Sequence, residues 1–165
     1  MTIKIMKATF AAGCFWGVES LFRQVRGVKS TQVGYTGGTF DNPTYEDVCA
    51  GKTGHAEAIQ IDYDPSVVSY EELLKIFWNN HNPTTVNQQG PDIGEQYRSV
   101  VFYHDQEQKN TAFELMDLLQ PMAIKRFGKK IVTEIVPAKT FFLAEEYHQR
   151  YLEKNGFEHC SSKIN

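Results

Sequence analysis

The chain has 165 residues, 41% of them hydrophobic and 22% charged, with a net charge of −3. That length suits one compact domain with its own core, and the weak negative charge offers no basic footprint for nucleic acid or an anionic membrane. Three cysteines, Cys14, Cys49 and Cys160, are odd in number and unclustered, which argues against a disulfide scaffold and against a zinc site of C-x-x-C type.

Residues 7–12 read as a strand running into Gly13. Phe15, Val18, Leu21, Phe22 and Val25 then recur at helical spacing, so a helix follows Cys14 at once. Residues 28–35 are strand-like, and 39–54 read as a loop rich in Gly, Asn, Pro and Thr. From 55 to 63 the pattern alternates, with Glu57, Ile59, Ile61 and Tyr63 on one face and Ala56, Ala58, Gln60 and Asp62 on the other. Ser69 with Glu72 forms a capping box for a helix whose apolar face is Tyr70, Leu73, Leu74 and Phe77. Residues 79–96 show no period, and a loop of that length inside a compact domain is more often functional than incidental. A strand at 97–103, a helix at 106–127 interrupted at Pro121, a strand at 131–136 and a last helix at 144–154 complete the pattern. A tail at 156–165 is expected to be mobile. The mixture reads as α+β: a two-layer sandwich of a mixed central sheet with packed helices, in a single domain over 1–165. No segment resembles a secretion signal or a membrane span, so a cytoplasmic place is expected.

Cys14 sits where a strand ends and a helix begins, among unpaired N–H groups and at the positive end of the helix dipole. The dipole contributes about 0.3–1 kcal/mol, less than about one pKa unit, so it does not by itself make a strong thiolate. Two readings stand side by side: a nucleophile, or a small packed residue with Phe15 and Trp16 in the core. Glu57 shifts the balance. It shares the inward parity of its strand, where a carboxylate must be used or paired, and burial would favour its protonated form. An exposed strand end or a basic partner is the alternative for Glu57. Gly51-Lys52-Thr53 lacks the leading glycine of a phosphate loop, and the five histidines have no metal-ligand spacing. No cofactor or metal is expected.

The segment 13–17, Gly-Cys-Phe-Trp-Gly, resembles the signature of the A-type peptide methionine sulfoxide reductases. So do 33–38, 43–48, 53–57, 92–99 and 144–149, in the same order, and the similarity spans about residues 9–151. The resemblance implies a ferredoxin-like core and the thiol-dependent reduction of methionine-S-sulfoxide, free or in proteins, as a repair of oxidised proteins. It implies Cys14 as the nucleophile, Phe15 and Trp16 as the pocket for the S-methyl group, and Glu57 as the acid. Tyr45 and Tyr97 would hydrogen-bond the sulfoxide oxygen, with Asp92 organising the site. Cys160 would resolve the sulfenic acid to a disulfide that thioredoxin reduces, with Cys49 as the alternative thiol. Many family members carry two cysteines near this end; this chain has one. A monomer is expected. A cysteine hydrolase would need a histidine base, for which only His55 is placed; a thiol peroxidase would have no use for a methyl pocket.

Overall fold

The computed structural model describes residues 4–155. Strand β1 (Met6–Ala12) leads through Gly13 into helix α1 (Phe15–Arg23), and β2 (Val28–Thr36) follows. A short helix α2 (Tyr45–Cys49) precedes β3 (Ala56–Tyr63) and helix α3 (Tyr70–Asn79). A small hairpin of β4 (Gln88–Gln89) and β5 (Asp92–Ile93) leads by a 3-10 turn (Glu95–Tyr97) to β6 (Ser99–Tyr103). Helix α4 (Gln106–Phe127), β7 (Glu134–Pro137), β8 (Phe142–Leu143), a second 3-10 turn (Glu146–His148) and α5 (Tyr151–Lys154) complete the described chain.

The main sheet runs β7-β6-β1-β3-β2-β8. Its central four strands, with α1 and α3 as crossovers, make the β-α-β-β-α-β order of a ferredoxin-like core, all of those pairings antiparallel. The parallel pairing of β7 with β6 makes the sheet mixed. Phe10, Ile59, Ile61 and Val101 on one face pack against Phe22 of α1, Leu73 and Phe77 of α3, and Ala112 and Leu115 of α4. These side chains follow the periods of 2 and 3.6 that marked the elements in sequence, and their burial drives the two layers together.

Gln60 and Asp62 are half-buried, but Ala56 and Ala58 are buried, because Phe102, Val136, Ala138 and Phe141 cover that end of the sheet. Gly34 permits this: a Cβ there would lie 2.4 Å from the Phe142 carbonyl and 2.6 Å from the Phe141 ring.

Three expectations need correction. Residues 39–54 are not all loop, since a capping box starts α2: Thr44 Oγ1 accepts from the Asp47 N–H at 3.1 Å and Asp47 returns the bond to the Thr44 N–H at 2.9 Å. Helix α4 continues through Pro121 for 22 residues, its inner face anchored by Ala112, Leu115 and Ala123 on both sides of the proline. Residues 144–154 do not form one helix. Gln149 instead gives its side-chain amide to β2, accepting from the Val33 N–H at 2.9 Å and donating to the Val33 carbonyl at 2.9 Å and the Ala144 carbonyl at 3.0 Å. Arg150 then turns the chain with φ 53°. Tertiary bonds override local propensity here. At Ser69 the N-terminal cap of α3 is present as a bond from the Glu72 N–H at 3.1 Å.

A polar chain crosses the buried end of α3. Trp78 Nε1–H donates to Thr133 Oγ1 at 3.0 Å, Thr133 and Ser99 hydroxyls meet at 2.7 Å, and Ser99 meets His81 Nε2 at 2.8 Å. His81 Nδ1–H donates to the Phe77 carbonyl at 2.6 Å, so Nε2 is the accepting nitrogen and the ring is neutral. Burial pushes His81 down from 6.5 to about 4. Below pH 6.5 the unfolded chain therefore binds a proton that the folded chain refuses, and stability falls as pH falls toward 4. Between pH 7.5 and 5 this site should remove about 2 kcal/mol, seen in urea unfolding as a loss that His81→Gln does not show.

Candidate active site

Cys14 occupies the N-cap position of α1, half-buried, with no side-chain cap bond and extended backbone at φ −57°, ψ 117°. Gly13 makes the turn into it at φ +93°, and a Cβ there would meet Gln89 Cγ at 2.7 Å. Only glycine lets the strand end press this closely on the hairpin. Gln89 is fixed in turn, accepting from the Asn82 N–H at 2.9 Å and donating to the Asn82 carbonyl at 2.8 Å. The aperiodic stretch 79–96 thus braces the turn that leads into Cys14, its Gln89 held by the Asn82 backbone.

Glu57 comes from β3, beside Tyr35 of β2 in the sheet register. It is 2% exposed, and its Oε1 accepts the N–H of Phe15 at 3.2 Å. The carboxyl therefore touches the peptide unit that joins Cys14 to Phe15. The inward parity predicted for Glu57 places it here, not at an exposed strand end.

Tyr45 opens α2 and Tyr97 closes the first 3-10 turn. Burial holds Tyr97 well above its ordinary pKa, and the ionisable groups of Glu57, Cys49, Asp92 and Cys14 are near enough to add to the shift. Burial likewise raises Tyr45, with a bond to the Cys49 thiol and the charge of Glu57 adding to it. Each therefore remains a hydroxyl, able to donate, at any physiological pH. Glu57, Cys49, Asp92 and Cys14 are thus all within electrostatic reach of Tyr97.

Phe15 is fully buried against Tyr35, with ring centroids 5.8 Å apart, whereas Trp16 is half-exposed beside it. One aromatic is core and the other forms a rim. Cys49, at the end of α2, is exposed as a residue. Partial burial nevertheless pushes its thiol up, Glu57 and Glu145 reinforcing the shift against the Tyr45 bond. Cys160 lies outside the described residues, as does the tail 156–165.

A family profile described as peptide methionine sulfoxide reductase matches residues 6–165. A peptide methionine sulfoxide reductase MsrA of Methanothermobacter thermautotrophicus is 60% identical over 154 residues, 93% of this chain and 90% of that one. The crystal structure of Saccharomyces cerevisiae Mxr1 in reduced form superposes with TM-score 0.87 at 39% identity, covering 99% of this chain and 96% of that one. Mxr1 in complex with Trx2 superposes with TM-score 0.63 at 28% identity, over 90% and 85% of the two chains. The chain belongs to the A-type peptide methionine sulfoxide reductases. It is accordingly an oxidoreductase acting on methionine sulfoxide.

Several residues of this reductase site carry no role in the sequence reading. Glu145 accepts the Tyr35 hydroxyl at 2.9 Å and the Tyr45 backbone N–H at 3.0 Å, tying α2 to β2. Despite its burial, those bonds and the nearby His148 hold Glu145 below the usual carboxylate range. His148 packs against Phe15, Trp16 and Tyr45. Both stand in the stretch 144–149, which signalled family but not function. His55, the one histidine weighed as a base, is used by the backbone: Nδ1 accepts from the Gly38 N–H at 3.0 Å and Nε2–H donates to the Phe40 carbonyl at 2.6 Å. Among the described residues no three His, Cys, Asp or Glu side chains come together as a metal site, and no helix is long and apolar enough to cross a membrane. Removing the Glu145 carboxylate leaves two inward donors without an acceptor. Glu145→Ala is expected to lower unfolding free energy by about 2–4 kcal/mol, measured by urea titration.

Proposed function

We propose that this reductase acts on the S epimer of methionine sulfoxide, free or within oxidised proteins, through a sulfenic acid at Cys14. The observation that carries the reading is the buried contact of Glu57 with the Phe15 N–H at 3.2 Å, which sets an acid beside the nucleophile's own peptide. Burial disfavours the ionised carboxylate, so Glu57 is suited to hold a proton near neutral pH.

A sulfoxide sulfur is a poor electrophile until its oxygen is hydrogen-bonded or protonated. The Tyr45 and Tyr97 hydroxyls and the Glu57 carboxyl supply three donors where negative charge develops. Asp92, among the charges around Tyr97, organises that donor. The methyl group lodges between Phe15 and Trp16. The Cys14 thiolate attacks sulfur, and Glu57 delivers a proton to the oxygen. The new bond between the two sulfurs and the S–O bond then both break as the protonated oxygen passes to Cys14: methionine sulfur gains two electrons, and Cys14 loses two as its sulfenic acid.

Cys160 resolves that species, its thiol displacing water to give a Cys14–Cys160 disulfide. The raised thiol of Cys49 leaves it little thiolate at neutral pH for this step. Thioredoxin then reduces the disulfide by exchange, a partner that the Mxr1 complex with Trx2 supports.

With dithiothreitol as reductant, the S epimer is expected to be converted to methionine and the R epimer left unchanged. Turnover of both epimers, or of neither, would overturn the reading. Cys14→Ser should abolish the reaction. Cys160→Ser should release about one methionine per enzyme when thioredoxin is the only reductant; sustained turnover would move the resolving role to Cys49 or to no cysteine.

A further inference from the structure

Trp16 is held from two sides. Its indole stacks on Tyr151 with centroids 3.8 Å apart and planes at 10°, and its Nε1–H donates to His148 Nδ1 at 2.9 Å. An indole N–H only donates, so Nδ1 is the unprotonated nitrogen and the ring proton sits on Nε2. That Nε2 is buried without a hydrogen-bond partner among the described residues, in a side chain 1% exposed.

An orphaned donor in an aromatic enclosure is destabilising and calls for an explanation. The neighbours of His148 are the rings of Phe15 at 5.1 Å, Trp16 at 5.6 Å, Tyr45 at 4.6 Å and Tyr147 at 4.1 Å. A phenylalanine would fill such a space with no polar atom left over. What histidine adds, and phenylalanine lacks, is an acceptor on the ring edge facing the indole.

We propose that His148 is a positioning residue: by accepting the Trp16 N–H it sets the plane of the indole, and so the width of the pocket that selects an S-methyl group over larger S-alkyl groups. The inference rests on Phe15 and Trp16 forming that pocket, and it names the side chain that fixes the movable wall. Phe15 needs no such support, being buried against Tyr35. Trp16 is half-exposed, and stacking on Tyr151 alone would let it slide in its own plane; a directional bond prevents sliding. Burial keeps His148 below its ordinary pKa against the pull of Glu145, which preserves the accepting form at neutral pH.

The test compares kcat/KM for methionine-S-sulfoxide and ethionine-S-sulfoxide, with dithiothreitol, in the wild type, His148→Phe, His148→Gln and Trp16→Ala. The wild type should prefer the methyl substrate, and Trp16→Ala should erase the preference. His148→Phe should reduce the preference about tenfold, the worth of one hydrogen bond, and His148→Gln, whose amide oxygen accepts, should restore most of it. If Trp16→Ala keeps the preference, the pocket reading itself fails. If Trp16→Ala erases it while His148→Phe keeps the wild-type ratio, the pocket stands and the positioning role is overturned. Should His148→Phe not fold, the indole N–H resonance of Trp16 in the wild type decides: slow exchange with solvent supports the clamp, and exchange as fast as an exposed indole overturns it.

Discussion

The hydrogen bond from the Phe15 N–H to Glu57 joins two requirements that normally conflict. A helix start needs an acceptor for its unpaired amides, and a buried carboxyl needs a donor. Cys14 cannot supply the first, because its side chain makes no cap bond. Glu57, reaching across from β3, satisfies it at 3.2 Å while remaining 2% exposed. The cap that α1 lacks locally is provided by the sheet, and the cysteine is thereby left with its sulfur uncommitted to capping. Register then matters. Glu57 lies opposite Tyr35 in β2, so a slip of one residue would turn the carboxyl to the other face and unmake the helix start as well.

Around that bond the site is assembled from segments with little secondary structure of their own. Tyr45 belongs to a helix of five residues and Tyr97 to a single 3-10 turn. Neither would hold its position alone. Glu145 fixes the first through its backbone, and the second follows a hairpin against which Gly13 packs without a side chain. These side chains thus stand on short pieces, one tied to the sheet by Glu145 and the other following a hairpin seated against Gly13.

What could be read in the chain follows from this division. Strands β1 and β3 and helices α1, α3 and α4 were legible because each buries one face, leaving a period of 2 or 3.6 in the apolar residues. The inward parity of Glu57 was legible for the same reason. Tyr45 and Asp92 lie in aperiodic stretches and Tyr97 at the head of an expected strand that in fact begins at Ser99, and only likeness to a family singled them out. Helix α2 escaped because its start depends on the pairing of Thr44 with Asp47 inside a polar run. The breakdown of 144–154 was illegible because Gln149 is helix-compatible by propensity, and its bonds to Val33 are 116 residues away. Glu145 and His148 act on partners about as distant, and no local pattern announces them.

The way Gln149 treats β2 has a consequence beyond local structure. The last strand, β8, covers only Gly34 and Tyr35, and the Gln149 amide occupies the next position by bonding both backbone groups of Val33. The opposite border, β7, is four residues long, begins with the charged Glu134 and ends in Pro137, which has no N–H to offer. Both rims of the sheet are therefore shielded from pairing with foreign chains. An open sheet edge is a template for aggregation, and these short, capped borders offer little of one.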